Sequence, residues 1–504
     1  MDLIDQNGAC YDNAESAMYQ FSFKNSAIFG IVPSHQIFKF EKRSGCNINS
    51  QMDAIGNINQ LPVECLAQIF EKLPWKDRLK IEQVCKNWQH VAKNFSWGNY
   101  RIFNNNKYWD RAMQIKPFFD RCGRHLRRLA LRDWSPQTAL SFIRMAPNVQ
   151  HLRFRDVKLD NESLKELAGI VPGLKSLVLI LALRREEKST GYSLGLMEFF
   201  KAITGLEYLY IYEAGALFDQ YSFVQFPSNL KYLGLRYVSN AAQILSWVAK
   251  GCKNLKGLYL EFRCNIDENL FHAISRIKSL TYLAMVTSRD WKPPYEIGYV
   301  FEELTELRAL EIDTLDEKMI SAIARHCNKL EHLDLYDYND VISAEQHAAI
   351  LRLTLLPNLC SLEIWSDSYS KEQRTELVNR LIAKGNLQYI VCNVSMYVQA
   401  PLEPEVVLEI LRRCKSIRSV GLDFGPINSD FYSKICQVVD EIDKENRKQG
   451  EFTGITHPIV EVQYYKDLTG NITTPYKWLR FKDQISSSAV GENWKFGWLG
   501  AGKP

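Results

Sequence analysis

The sequence of 504 residues has no apolar run long enough to cross a membrane. The longest, Leu177 to Leu183, holds seven residues, against the ~20 that a spanning helix needs. Its twelve cysteines include no CxxC pair, so the short ligand spacing of structural zinc sites is missing. Several of those thiols fall inside apolar helical patterns, as reduced, buried cysteines do in a cytosolic or nuclear protein. There is no Gly-rich phosphate loop, no His-Glu-x-x-His and no Gly-x-Ser-x-Gly. The nine histidines are scattered, and His326 beside Cys327 reads as a structural pair at a helix end rather than a catalytic dyad. No cysteine has surroundings that would activate a thiolate. No catalytic residue, metal or cofactor is therefore expected, and an enzyme with its site hidden in the C-terminal tail is the least supported class. A formal net charge of +4 is too weak to argue for nucleic acid. The opening MDLIDQNGAC lacks a basic region followed by an apolar stretch, so it does not read as a secretory signal. The expected location is the cytoplasm, the nucleus or both, with no membrane partner, and the Asn471 sequon is then without consequence.

What is present is an ordinary globular composition, 46% hydrophobic and 24% charged, within which one motif recurs. The motif is apolar, two others, apolar, one other, apolar. It reads Leu126-Leu129-Leu131, Val149-Leu152-Phe154, Leu174-Leu177-Leu179, Leu206-Leu209-Ile211, Leu230-Leu233-Leu235 and Leu255-Leu258-Leu260. It goes on as Leu280-Leu283-Met285, Leu307-Leu310-Ile312, Leu330-Leu333-Leu335, Leu359-Leu362-Ile364, Leu387-Ile390-Cys392 and Ile417-Val420-Leu422. Successive starts lie 23 to 32 residues apart. Pattern and period are those of leucine-rich repeats, in which one strand–helix unit cannot bury its own apolar face and neighbours stack into a continuous core. Helical stretches lie between the motifs. Ser343 with Gln346 and Ser370 with Gln373 have capping-box spacing, and Asp267 and Asp316 are expected N-caps. Cys252, Cys327 and Cys414 each stand three residues before a motif, and packed thiols are expected there. Ile459-Val462-Tyr464 offers a thirteenth strand.

Ahead of the repeats lies Leu61 to Tyr100. Pro62 suits the first residue of a helix, and Val63, Leu66, Ile69, Phe70 and Leu73 follow the spacing of one apolar helical face. Pro74 ends that helix. Asp77 is the expected N-cap of a second, carrying Leu79, Ile81, Val84 and Cys85. A third carries Trp88, Val91, Ala92 and Phe95. Such a short three-helix segment is below the size at which a core supports itself, so it calls for a partner surface in this chain or on another protein. Leu61-Pro62, Glu64, Leu66, Ile69-Phe70, Leu73, Asp77, Leu79, Val84-Cys85 and Trp88 fall at the spacing of an F-box, and the segment resembles that family. Arg78 stands where the family often has a smaller or apolar residue, a change expected to tune affinity.

The resemblance implies an α/β chain: an N-terminal three-helix F-box followed by a leucine-rich-repeat horseshoe of about twelve strand–helix repeats. It further implies a non-catalytic substrate-recognition subunit of an SCF-type ubiquitin ligase. Its partners would be a Skp-type adaptor, the cullin–RING core and a protein substrate. The alternative is a repeat scaffold without a ligase. Adaptor contacts are expected at or just behind Leu61, Pro62, Glu64, Leu66, Ile69, Phe70, Leu73, Leu79, Val84, Cys85 and Trp88. The expected order is a mostly disordered arm (1–56) with an apolar scatter around Phe21 to Phe40, the F-box (57–100) and a helical connector (101–125). The repeats (126–445) and a last strand, cap or tail (446–504) follow.

Side chains alternate along a strand, so residues between and flanking the apolar motif positions are expected on an exposed strand face. The early repeats place Arg128, Arg132, His151, Arg153 and Arg155 there. The middle ones place Tyr208, Tyr210, Tyr212, Tyr232, Arg236, Tyr259 and Tyr282, and the later ones Glu311, Asp313, Asp334, Tyr336, Glu363, Trp365 and Asp423. A substrate segment is expected to cross the tyrosines, since exposed clustered aromatics often supply binding hot spots.

Overall fold

The computed structural model describes residues 58, 61–104, 112–180, 192–212, 225–238, 240–262, 268–287, 297–313, 316–337, 342–366, 369–393, 403, 405–414, 416–417, 419–422, 429–448, 460–464 and 479–483. The N-terminal arm, Asp267, Asp423 and the tail tryptophans Trp494 and Trp498 lie outside the described residues.

The chain divides into two compact units, one reaching to Leu230 and one from Lys231 onward. The first begins with three helices, α1 (Val63–Glu71), α2 (Trp75–Ile81) and α3 (Lys86–Phe95), then a strand β1 (Ile102–Asn104) and a helix α4 (Ala112–Cys122). Four strands follow, β2 (Arg128–Arg132), β3 (His151–Arg155), β4 (Ser176–Ile180) and β5 (Tyr208–Tyr212), with helices Pro136–Arg144, Asn161–Ile170 and Tyr192–Ala202 between them. All neighbours pair in parallel and place equivalent motif residues opposite each other, Leu129 with Leu152, Leu152 with Leu177, and Leu177 with Leu209. These leucines are at most 1% exposed. Strand β1 pairs with β2, so the sheet starts inside the stretch that the sequence offers only as a helical connector. Its three residues are too few to show a period.

The second unit continues the pattern with β6 (Tyr232–Arg236), β7 (Gly257–Glu261), β8 (Tyr282–Val286), β9 (Ala309–Ile312), β10 (His332–Asp337), β11 (Ser361–Ser366), β12 (Tyr389–Asn393) and β13 (Ser419–Leu422). Every one of the twelve sequence motifs thus ends in a strand. Beyond them, β14 (Val460–Tyr464) holds Val462 and Tyr464 of the expected thirteenth motif, and β15 (Leu479–Asp483) pairs with it in parallel.

The capping signals act as read. Ser343 and Ser370 each close a full capping box with Gln346 and Gln373, and the Asp316 carboxylate accepts from Met319 N–H at 2.9 Å. Cys252, Cys327 and Cys414 are buried where helices end. Each backbone N–H closes the last helical turn, on Val248, Ile323 and Ile410, and each carbonyl accepts from the first motif residue, Leu255, Leu330 and Ile417. Asparagines just before a motif tie each repeat to its predecessor: Asn148 Nδ2 donates to Arg124 O at 2.8 Å, and Asn358 Nδ2 to Asn328 O at 2.9 Å.

Candidate adaptor-binding helices and strand face

Helix α1 does not present a single apolar face to one partner. Leu66, Ala67 and Phe70 turn inward against Val91 and Ala92 of α3, with Leu61, Leu73, Ile81 and Trp88 packed around them. Phe70 meets the Trp88 ring at a centroid distance of 5.2 Å. The rest of the apolar set faces solvent: Val63 is 36% exposed, Ile69 42%, Val84 61% and Phe95 50%. Pro62, Glu64 and Cys85 are also exposed, and Leu79 is half-buried. Of the expected adaptor contacts, Leu66 and Phe70 are therefore core rather than surface. Pro62, Glu64, Ile69, Val84 and Cys85 form the accessible set.

Three readings of the helix ends are corrected. Asp77 does not cap α2: Pro74 precedes its first residue, and Asp77 pairs with Lys80 at 2.8 Å inside the first turn. The proline that ends α1 also supplies the φ for starting α2. Pro62, likewise, is the residue before α1 rather than its first. Neither Val84 nor Cys85 is on α2, which ends at Ile81; Cys85 is the N-cap of α3, its Sγ accepting from Trp88 N–H at 3.4 Å.

Arg78 is the residue whose role sequence reasoning misjudged. It is 2% exposed, so it cannot tune affinity by direct contact. Its guanidinium donates to Leu73 O and to Asn99 Oδ1, each at 2.9 Å, and also to the carbonyls of Ser96 and Glu71. It lies 4.4 Å from the Tyr100 ring centroid and 5.6 Å from that of Trp97. Burial holds it below the ordinary arginine range, partly countered by Tyr100 and Glu71. One side chain thus collects the C-terminal carbonyls of α1 and α3, the groups a helix leaves unsatisfied. A second polar contact fixes the segment to α4: Arg121 grips the buried Glu82 carboxylate through Nε and Nη2 at 2.9 to 3.1 Å. Trp97 Nε1 donates to the same carboxylate at 3.3 Å. The hydrogen bond to Glu82 holds the Arg121 guanidinium above its usual range. Phe118 of α4 takes edge contacts from Trp75, Trp97 and Tyr100. The partner surface that so short a segment calls for is therefore partly in this chain.

On the strand face the outcome differs by repeat. In the first unit Arg128, Arg132, His151, Arg153, Arg155, Tyr208, Tyr210 and Tyr212 are part-exposed, alternating with buried motif residues. In the second, Tyr232, Tyr259, Tyr336 and Trp365 are part-exposed. Arg236, Tyr282, Glu311 and Asp313, expected on an open surface, are each only 7% exposed, and Asp334 and Glu363 are 0% and 3%. Pairing and small neighbours bury four of them, Arg236, Tyr282, Glu311 and Asp313. Arg236 meets Glu261 at 2.6 Å, and Tyr259 OH donates to Glu261 at 2.8 Å. Thr287 donates to Asp313 through both its hydroxyl and its N–H. Gly257, Ala284 and Ala309 let the large side chains lie against the sheet: a Cβ on Gly257 would overlap the Tyr232 ring, and Tyr282 packs with Ala284, Ala309 and Tyr259. Tyr336 and Trp365 stack at 6.0 Å with planes 9° apart. Burial lifts the Asp313 carboxyl to about 6, against its hydrogen bonds from Thr287, and lowers the His332 imidazole to about 4.

Among the described residues no helix is long and apolar enough to cross a membrane. No group of three or more His, Cys, Asp or Glu side chains among them converges as a metal site.

Three helices closed on Leu66 and Phe70 are followed by stacked strand–helix units. Residues 58–102 match the F-box-like family model, and this chain carries an F-box-like domain followed by leucine-rich repeats. No curated protein matches it. Similar solved structures include the yeast Rad7–Elc1 complex, 16% identical over 84% of this chain and 94% of that one, with a TM-score of 0.41. The leucine-rich-repeat protein LegL7 of Legionella pneumophila is 16% identical over 51% of this chain and 91% of its own, with a TM-score of 0.34. An internalin of Listeria monocytogenes is 16% identical over 63% and 73%, with a TM-score of 0.28.

Proposed function

We propose that this chain is the substrate-recognition subunit of an SCF-type ubiquitin ligase. The F-box-like domain holds a Skp-type adaptor, which joins it to a cullin–RING core, and the repeats hold the protein to be ubiquitinated. The chain supplies no chemical group. It raises the effective concentration of a target lysine near the ubiquitin-charged enzyme. The observation that carries this reading is the F-box-like match at residues 58–102. It is supported by the outward Val63, Ile69 and Val84 on a segment whose core residues are already satisfied. Interfaces of this kind bind through a few apolar anchors, each worth ~1–3 kcal/mol.

Co-purification tests it. Adaptor and cullin should accompany the intact chain and disappear when Leu61 and Pro62 are both replaced by Ala, with the repeats still folded. A double variant that retains the adaptor at wild-type levels refutes the assignment. An intact chain that never captures it leaves a repeat scaffold without a ligase.

A further inference from the structure

Strand β4 carries short side chains where both its neighbours carry long ones. On the face away from the core, Ser176, Val178 and Ile180 stand in register with His151, Arg153 and Arg155 of β3. On the other side the same three pair with Tyr208, Tyr210 and Tyr212 of β5. Side chains stand roughly perpendicular to a sheet, so a short row between two long rows is a trough along β4, its walls two strand spacings (~10 Å) apart. Val178, at its floor, is 8% exposed.

One wall is cationic and the other is tyrosine. Strand β2 reinforces the cationic side, with Arg132 opposite Arg155 and Arg128 opposite His151. Asp133 and Asp156 at the strand ends offset Arg132 at 3.0 Å and Arg155 at 3.5 Å. Lys175 and Glu207, both near His151, act in opposite directions. Arg128, Arg132, Arg153 and Arg155 concentrate positive charge on these two strands. The Arg153 guanidinium is held below its usual range by burial first and by Arg155 next, with Tyr210 and Tyr208 close enough to counter them.

We infer that this trough binds an extended protein segment in which acidic and apolar residues alternate, acidic side chains toward β3 and apolar ones toward β5. Successive side chains of an extended chain point to opposite sides, and every second one repeats after about 6.6–7 Å. That is the step from Arg153 to Arg155. Carboxylates at i and i+2 therefore meet the two guanidiniums, which bind carboxylates in a planar fork. The residues between them meet the tyrosine rings. A helical ligand has no such two-residue repeat. A nucleic-acid backbone would set its phosphates against Asp133 and Asp156, and the chain's net charge of +4 gives it little general attraction. The inference rests on the proposed receptor role only in regarding the segment as substrate.

The test is fluorescence anisotropy on the full chain, measured with and without a Skp-type adaptor added. The probes are a short alternating Glu/Leu peptide, the same composition in two blocks, an alternating Lys/Leu peptide and oligouridine. The alternating acidic peptide should bind, the others at least about tenfold more weakly, and its affinity should fall with salt. Arg153→Gln with Arg155→Gln should weaken it roughly tenfold or more and flatten the salt dependence. Ser176→Trp fills the trough without touching a charge and should weaken it comparably, so the inference survives a failure of the arginine variant to fold. Equal binding of the block peptide or of oligouridine, an unaffected Ser176→Trp variant, or no binding of the alternating peptide overturns it. Adaptor capture is read in the same samples. Its loss with peptide binding intact strikes the receptor reading, and the reverse strikes the trough alone.

Discussion

Replacing Arg78 with methionine keeps a long stem in the same volume and removes every donor. The carbonyls of Leu73 and Ser96 then lose the guanidinium, while Glu71 O keeps Asn99 Nδ2 at 3.2 Å. Two stranded carbonyls, Ser96 O buried and Leu73 O part-buried, cost ~1–3 kcal/mol each. The lost cation–π contact over Tyr100, at 4.4 Å, adds ~0.5–2 kcal/mol. Relief from burying a charge offsets part of this, leaving a net local loss of ~3–4 kcal/mol. Hydrogen exchange resolved by residue measures it directly. Protection across α1 to α3 should fall by two to three orders of magnitude, taking ~1.4 kcal/mol per decade. Amides of β2 to β5 should change little. Arg78→Lys should sit between, since an ammonium cannot reproduce the planar fork. If Arg78→Met shifts the helical amides by less than ~1 kcal/mol, or if the loss spreads evenly into the strands, Arg78 is not the clamp described.

Other outcomes follow from single contacts. Glu82→Gln keeps one acceptor for Trp97 but breaks the charged pair with Arg121, and should cost ~2–4 kcal/mol by urea titration; a change under ~0.5 kcal/mol would mean the pair is solvated. Gly257→Ala drives a Cβ into the Tyr232 ring and should destabilise the second unit by ~1–3 kcal/mol with a changed near-ultraviolet spectrum, whereas a silent substitution would show the ring moves freely. Burial pushes the thiols of Cys252 and Cys327 up to about 12, so neither should react with a maleimide at pH 8 until the chain unfolds. Asp313 and His332 make opposite pH demands. Asp313, raised from 3.8 to about 6, contributes stability below its unfolded value that is lost as pH rises through about 6. His332, lowered from 6.5 to about 4, favours the folded state above 6.5 and loses that contribution as pH falls through about 4. The two slopes oppose between pH 4 and 6. Asp313→Asn should therefore make urea midpoints rise with pH over that window, and His332→Gln should make them fall. The same slope in both variants would refute these two assignments.

The sequence by itself determined the repeats. A motif that returns twelve times needs only parallel stacking to bury its leucines, and Leu129, Leu152, Leu177 and Leu209 meet where their spacing puts them. The capping boxes at Ser343 and Ser370 were legible for the same reason, since donor and acceptor lie within one helical turn. The F-box-like segment was legible as a pattern, but its pattern did not say which apolar residues close the core and which stay outside. Leu66 and Ile69 look alike in sequence, and only the position of α3 makes one buried and the other exposed. The buried roles of Arg78 and Glu82 were not legible, because their partners, Ser96, Asn99 and Arg121, are 18 to 39 residues away. The strand face divided in the same manner. Alternation predicts which side a residue faces, but whether it stays open depends on the neighbouring strands. Gly257 and Ala284 let Tyr282 and its acidic partner Glu311 close over the sheet. Ser176 and Val178 leave a trough, because the long side chains stand on β3 and β5 to either side of them. Register between strands, not the content of any one of them, made that difference.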